Sequence, residues 1–444
     1  MATTYIQSNF SGTGSSTGAK ATYSVWVKNS VKDDRSTIIS GRADGGSYMK
    51  FRFANDQLAL YGNHSSSNNV SIETNRKFRD PNAWLHIVLQ VDTTHATSTE
   101  RVKIFVNGVQ ETSFANSTYP AQNAPLYLTK EDDVQVGAYN NTEHFDGCMS
   151  HFYCIDGTIY APTVFAETDA TDGMWKAKPN PTVTYGSKGW LIFKDSANLS
   201  GSTVSDQSTN SNDFTVATGT LTDTKDNPDN NFATWQPLQQ TTGQTAPTFL
   251  NGNTFLQAAS NTPRNYGVST LAMPRSGKYF SEHKIVENND CIQFGIVSTH
   301  VVPNRFHYNT PFSSTTEGMM FVCPEGKIEY NNANEITGLT TAGNNDIVGL
   351  GVDMDNEKLY IYVNGALVNS GGTSFASKVT GQYVYMATGD GTTSGNDSVY
   401  SNFGNGYFGT TKITSAGTNS SYGDFEYNLP ASGWGALCTK QINS

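Results

Sequence analysis

The stretch RVKIFVNGVQET, residues 101–112, decides the fold. Val102, Ile104 and Val106 recur at every second position up to Asn107-Gly108, and the chain then returns through Val109. Period-two alternation marks a strand with one face on a core. Asn-Gly is the preferred pair for a two-residue type I′ turn, because both central residues need positive φ. The device recurs at 358–368, KLYIYVNGALV, with its turn at Asn364-Gly365. Two hairpins of one design in opposite halves of the chain imply two β-domains.

Working outward from the first hairpin, residues 21–28, 36–40, 48–53 and 57–61 read as short strands between turn clusters. WLHIVLQV at 84–91 is apolar enough for a central strand buried on both faces. Residues 134–137 and 149–155 add two more. In the second half 277–286, 291–297, 318–323, 347–353, 383–387 and 436–439 complete a sandwich-sized set. Between the halves, Pro162, Pro179, Pro181, Pro228 and Pro237 surround one apolar run, GWLIF at 189–193, and a polar tract at 195–213. So long a loop without strands is improbable in a compact chain. The expected domains are therefore 1–161, a connector at 162–275 that packs on the first domain and donates a strand or two, and 276–444. Helical periodicity is absent; only 174–178 and a turn near Pro162 admit local helix.

Composition agrees with an all-β class built as antiparallel sandwiches. Of 444 residues, 36% are hydrophobic and only 15% charged, while 41 are Gly. Such a chain spends many residues on turns yet keeps 11% aromatics to fill a core. A net charge of -11 without any basic stretch excludes nucleic acid as an expected partner. No apolar window reaches the roughly 18 residues a membrane span needs. The N-terminal MATTYIQSNFSGTG lacks the basic and apolar regions of a secretory signal. The sequons at Asn63, Asn116 and Asn419 are accordingly read as unglycosylated. Cys148, Cys154, Cys291, Cys323 and Cys438 are odd in number with no CxxC pair, which fits thiols buried in a protein folded in a reducing cytosol. Cys148 and Cys154, six apart, share a face of a regular strand.

Chemistry-bearing patterns are few. A glycosidase needs two carboxylates facing across a sugar cleft. Asp92, Glu100, Asp132, Asp133, Asp353, Asp355 and Glu357 form no such pattern, and DMDNE at 353–357 reads as a turn. His64, His86, His95, His144, His151, His283, His300 and His307 show no metal-binding spacing. His86 and His283 lie inside strands, where the simple reading faces them to solvent. SDQSTNSND at 205–213 carries oxygen ligands at short spacing, so calcium is the one ion whose chemistry it offers. A turn stapled by Asn and Asp side chains is the simpler account. Trp235, Tyr119 and Tyr266 read as exposed aromatics that could stack on sugars, although core or interdomain packing explains single aromatics more often. No catalytic, cofactor-binding or metal residue is assigned, and no cofactor is expected.

Several longer stretches resemble known families. TYSVWVK (22–28), WLHIVLQVD (84–92), RVKIFVNGV (101–109) and VQVGAYNNTEHFDGCMSHFYCIDG (134–157) resemble the LamG, concanavalin-like jelly roll. GWLIFKDSANLSG and DQSTNSNDFTV within 189–216 are similar to the segment that accompanies this jelly roll in phage proteins. GKYFSEHKI (277–285), FGIV (294–297), IVGLGVDMDNEKLYIYVNGALV (347–368), NFGNGYFG (402–409) and GWGALCT (433–439) resemble a SPRY domain. The order of the two resembles structural proteins of tailed bacteriophages, marine ones especially.

What the resemblance implies is a non-enzymatic virion surface component, a capsid decoration, fibre or tail-associated adhesin, folded in the host cytoplasm. Its implied partners are other virion proteins, copies of itself on a symmetric particle, and a host surface glycan. The alternatives are a carbohydrate-binding lectin-like protein and a polysaccharide hydrolase or lyase on the same fold. The two sandwiches are expected to differ, sharing mainly the strand–Asn-Gly–strand hairpin.

Overall fold

The computed structural model describes residues 3–8, 18–30, 35–64, 69–130, 133–196, 199–238, 247–258, 266–289, 291–298, 312–391, 396–414, 420 and 422–444. The chain divides into two compact units, one of Met1–Asp223 with Asn227–Asp229, the other of Thr224–Asp226 with Asn230–Ser444. Each is an antiparallel β-sandwich.

The first unit opens with β1 (Tyr5–Ser8), β2 (Lys20–Asn29), β3 (Arg35–Asp44), β4 (Ser47–Ala54), β5 (Gln57–Asn63) and β6 (Val70–Lys77). There follow β7 (Leu85–Asp92), β8 (Val102–Val106), β9 (Val109–Gln110), β10 (Phe114–Thr118), β11 (Val134–Val136) and β12 (Gly147–Asp156). A one-turn helix, α1 (Tyr127–Lys130), precedes β11. The hairpin β13 (Ala166–Thr168) and β14 (Trp175–Ala177), then β15 (Trp190–Ile192), β16 (Leu199–Ser200), β17 (Thr203–Val204) and β18 (Phe214–Thr218) complete it. One sheet runs β10-β6-β5-β4-β3-β11-β1-β18-β17-β16 and the other β15-β12-β2-β7-β8-β9. Side chains that alternate inward, such as Val25 and Val27, Met49, Phe51 and Phe53, and Ile87 and Leu89, meet between the sheets as one core.

The second unit contains β19 (Thr248–Leu250), β20 (Phe255–Gln257), β21 (Tyr266–Val268), β22 (Lys278–Glu287), β23 (Ile292–Ser298), β24 (Gly318–Val322), β25 (Lys327–Tyr330) and β26 (Ala333–Ile336). It continues through β27 (Ile347–Asp353), β28 (Lys358–Val363), β29 (Ala366–Leu367), β30 (Thr373–Ser374), β31 (Val384–Asp390) and β32 (Ser398–Asn402). The small hairpin β33 (Tyr407–Phe408) and β34 (Thr411–Lys412), then β35 (Trp434–Ala436) and α2 (Thr439–Ile442), close it. Its sheets run β19-β20-β32-β22-β27-β28-β29 and β21-β31-β23-β24-β25-β26.

These orders correct the expectation of two sandwiches that share little beyond a hairpin. β12-β2-β7-β8-β9 corresponds strand for strand to β32-β22-β27-β28-β29, and β6-β5-β4-β3-β11-β1 to β26-β25-β24-β23-β31-β21. The agreement reaches single hydrogen bonds. Asn107 donates its backbone N–H to the His86 carbonyl (2.8 Å), and its Oδ1 accepts the His86 N–H (2.9 Å). Asn364 makes the same pair of bonds with Ile347 at 2.8 and 2.9 Å. Both turns have positive φ at Asn and Gly, as type I′ requires. A Cβ on Gly108 would lie 2.8 Å from the Trp175 ring, and one on Gly365 2.6 Å from the Tyr427 ring. Glycine is thus required twice over at each turn.

The expected connector at 162–275 divides between the units. Its first part adds β15 to β12 and β18 to β1, whereas β19, β20 and β21 join the sheets of the second unit. Residues 174–178, open to helix in the sequence, contain strand β14, while Pro162–Val164 forms a turn of 3-10 helix. Phe165, with Val164, Val183 and Tyr185, covers the outward residues Val88, Tyr153, Ile155 and Leu191 of the six-stranded sheet.

Cys148 and Cys154 do not share a face. His151 takes φ 49° in β12 and the register against β2 slips between Ser150 and Tyr153. One extra residue reverses the alternation. Cys154 therefore faces the core opposite Tyr23, while Cys148 pairs with Lys28 on the other side.

In the second unit, the outward face of β22 is covered by residues 422–434, with Phe280 and Tyr362 against Phe425, Leu429 and Trp434. Glu282, fully buried on that face, accepts the N–H groups of Glu426 (2.7 Å) and Tyr427 (2.9 Å). Burial pushes its carboxyl up to about 7 against those bonds. A raised carboxyl contributes stability that is complete below the unfolded value near 4.5 and lost as pH rises through 7. The stability advantage of the native protein over Glu282→Gln should therefore shrink by roughly 3 kcal/mol between pH 4.5 and 7.5. Urea denaturation at both pH values reads it; a constant difference would refute the assignment.

Candidate functional site

Along β4 the apolar Met49, Phe51 and Phe53 enter the core, so Tyr48, Lys50 and Arg52 point out of the sandwich. Registers extend this outer face across three strands. Arg52 pairs with Thr37 and Ala59, Lys50 with Ser40 and Tyr61, and Tyr48 with Arg42 and Asn63. Two cations on one face of one strand repel, and side chains that long are seldom buried. Here both are buried, with 8% and 7% of the Lys50 and Arg52 side chains exposed.

The loop between β11 and β12 makes this possible. Glu143 receives Lys50 Nζ at 2.9 and 3.0 Å, Arg52 at 2.8 Å and Arg35 at 3.4 Å. Thr37 donates its hydroxyl at 3.3 Å and its backbone N–H to the Glu143 carbonyl at 2.9 Å. Burial alone would raise the Glu143 carboxyl, but the bonds and charges of Lys50 and Arg52 hold it below the usual carboxylate range. Lys50 is lowered, by burial first and then by its cationic neighbours against the pull of Glu143. The loop accepts backbone cost for this geometry: Asn140, Asn141 and Glu143 all have positive φ. Arg42 bonds Asn140 and Tyr5 bonds Asn141, pinning it further.

Tyrosine rings frame the cations. Lys50 Nζ sits 4.1 Å from the centre of Tyr139 and 5.7 Å from that of Tyr48, and the Arg52 guanidinium lies 4.9 Å from that of Tyr61. All three rings are half-buried. Aromatics in this state offer a flat apolar face to a ligand at small cost in conformational entropy. The corresponding face of the second unit is different: Val297, Met320 and Ala387 there form an apolar cluster with Phe312. A shared fold therefore does not require the cations; they belong to the first unit alone.

The residues singled out from the sequence do not converge. Asp92 pairs with Lys20 (3.0 Å), Glu100 with Lys103 (2.8 Å), and Glu357 with Arg275 (3.3 Å). Asp353 accepts from Asn356 and pairs with Lys278, and Asp355 accepts the Gly277 N–H. Burial raises the Asp133 carboxyl. Asp132, His300, His307, Asn419 and the Tyr266 side chain lie outside the described residues. In the 205–213 tract both Asp206 oxygens are engaged, Oδ1 by the N–H groups of Leu191 and Ser208, Oδ2 by the Ser208 hydroxyl and the Asn212 N–H. Among the described residues no three His, Cys, Asp or Glu gather as metal ligands. No helix among them is long and apolar enough to cross a membrane.

Trp235 and the two strand histidines require correction: all three are completely buried. His86 lies on the outward face of β7 but under β14, where Trp175 Nε1 donates to its Nδ1 (3.0 Å) and its Nε2 meets Ser24 Oγ (2.8 Å). His283 faces the core of the second unit. There Trp235 Nε1 donates to Ser401 Oγ (2.9 Å), which meets His283 Nδ1 (2.9 Å), and His283 Nε2 meets Ser281 Oγ (2.8 Å). Serine–histidine spacing of this kind suits a nucleophile and base, yet all three pairs are buried away from any substrate. Tyr119 is half-buried.

Sequence reasoning passed over Glu143, Lys50, Arg52, Tyr48, Tyr61 and Tyr139. The available signal was the alternation of YMKFRF at 48–53, whose two cations on one face demand a counter-charge.

Residues 2–164 match the family model described as the Concanavalin A-like lectin/glucanases superfamily. No curated protein matches the chain. Among solved structures it is similar to the SPRY domain of human HERC1, at 18% identity over 38% of this chain and 96% of that one, with a TM-score of 0.30. A human SPRY domain matches at 15% identity over 33% and 89%, with a TM-score of 0.27. Domain 4 of AbnA, an extracellular arabinanase from Geobacillus stearothermophilus solved with arabinotriose, matches at 19% identity over 34% and 65%, with a TM-score of 0.26.

Proposed function

We propose that this chain is a non-catalytic binding protein of a tailed-phage virion surface, and that the Tyr48–Tyr61–Tyr139 face of its first unit recognises glycan. The observation that carries the glycan reading is the outer face of β4. Two buried cations and their carboxylate hold three half-buried tyrosines in place, where the second unit has a covered apolar cluster. Rigid aromatics beside fixed polar groups are what a sugar ring needs, an apolar face to stack on and donors for its hydroxyls. The sequence resemblance to tailed-phage proteins supports the virion setting, with folding in the host cytoplasm and display on the particle beside other virion proteins. The non-catalytic reading draws support from Asp92, Glu100, Asp353, Asp355 and Glu357, which cap turns or pair with lysine and arginine.

The full-length protein should bind purified host-envelope polysaccharide, and Tyr61→Ala should weaken binding about tenfold. The polysaccharide should gain no reducing ends on incubation. Absence of binding to every envelope fraction would reject the glycan reading, and turnover would reject the non-catalytic one. Mass spectrometry of purified virions should contain the protein; its absence there would reject the virion setting.

A further inference from the structure

We infer that the glycan recognised by the Tyr48–Tyr61–Tyr139 face is an acidic one, a carboxylated oligosaccharide whose negative groups meet Arg35 and Arg42. The inference rests on the glycan reading of this face and names its ligand class. It starts from a charge imbalance. One carboxylate, Glu143, serves three cations, Arg35, Lys50 and Arg52. Arg42, the fourth, hydrogen-bonds neutral acceptors among the described residues, the Asn140 side chain and the Asp44 carbonyl, and its charge acts on the Asp133 carboxylate beside it. Acid is not scarce in this chain, which has 39 Asp and Glu against 28 Lys and Arg. Four cations, Arg35, Arg42, Lys50 and Arg52, beside two carboxylates, Glu143 and Asp133, on one face of so acidic a protein therefore have a local cause.

The cations are graded in depth. Lys50 and Arg52 form the floor, and Arg52 Nε is buried without a hydrogen-bond partner. Arg35, with 60% of its side chain exposed and a single 3.4 Å ion pair among the described residues, stands at the rim, as does the half-buried Arg42. Of the other carboxylates near the face, Glu73, across from Ala59, accepts from Asn116, Asp44 accepts the Gly46 N–H, and Asp133 lies beside Arg42, so Arg35 is the cation with most donors to spare. An arriving carboxylate thus finds guanidinium groups with donors to spare beside rings on which a sugar can lie. Glu143 already occupies the floor as an internal anion, so it competes with the ligand for the same cations.

Binding of the full-length protein to an oligogalacturonate and to a neutral galacto-oligosaccharide of equal length tests this. The acidic probe should bind at least tenfold more tightly and lose affinity with added salt. Arg35→Ala should weaken it about tenfold while leaving the neutral probe within twofold. Glu143→Gln should strengthen acidic binding although it destabilises the fold, an effect that a purely structural role would not produce. Equal binding of both probes, insensitive to salt, overturns the acidic assignment and leaves the glycan reading standing. Equal binding of an oligoglutamate of matched charge also overturns it, as a general anion surface. Failure of both sugars to bind removes the glycan reading itself.

Discussion

Glu143→Ala is expected to destabilise the first unit by about 3–5 kcal/mol, the usual effect of stranding buried charge. Lys50 and Arg52 would remain under Tyr139 and Tyr61 with no counter-ion, and water can reach them only if the loop lifts. The loop has reason to lift, because Asn140, Asn141 and Glu143 hold left-handed backbone that their side-chain bonds maintain. Urea denaturation of the full chain should show the first-unit transition moving to lower urea. Replacing all three charges together, with Lys50→Met, Arg52→Leu and Glu143→Leu, should recover most of the loss, since removing a whole buried network costs little. A single-variant loss under 1 kcal/mol would mean that solvent already screens the cluster.

Acid should unfold both units through their buried histidines. Burial holds His86 and His283 at about 3, far below the ordinary 6.5, with a small further push on His86 from His151. Above pH 6.5 neither the folded nor the unfolded chain protonates them. Below it the unfolded chain takes up protons that the folded one refuses, so stability falls as pH drops toward 3. A shift of this size corresponds to roughly 4–5 kcal/mol for each histidine. Glutamine keeps one acceptor and one donor at each site, so His86→Gln with His283→Gln should lose much less stability than the native protein between pH 6.5 and 4. Identical losses would show that the histidines titrate in the folded state. Truncating Trp235 should weaken the share of this dependence that comes from His283, because it opens the donor end of the His283 chain to water and lets the folded protein protonate it.

Much of the fold was legible because it is local. The turns at Asn107-Gly108 and Asn364-Gly365 follow from two residues that tolerate positive φ. Strands such as β2, β7, β22 and β27 follow from hydropathy within a window of seven to ten residues. Short strands were missed where no such window exists: β13 with β14 and β16 with β17 are held by their neighbours rather than by pattern. The shared strand order of the two units was hidden for the same reason, since pairing partners such as β3 and β11 lie far apart in the chain.

The candidate site was legible only in part. YMKFRF announced a strand with two cations outside, but their partner Glu143 comes some ninety residues later, in a loop. His86 and His283 looked solvent-facing because alternation distinguishes two faces of a strand without saying whether either is wet. Residues 160–185 cover one, and the facing sheet covers the other.

By itself the sequence determined an all-β chain of two antiparallel sandwiches, the positions of most strands and both Asn-Gly hairpins, because periodicity and φ preference act between near neighbours. Only the tertiary structure decided which outward faces are covered, that Cys148 and Cys154 part at a bulge, and that one distant carboxylate pairs with both buried cations. Burial and ion pairing depend on what the rest of the chain brings alongside, and that leaves no mark within the strand itself.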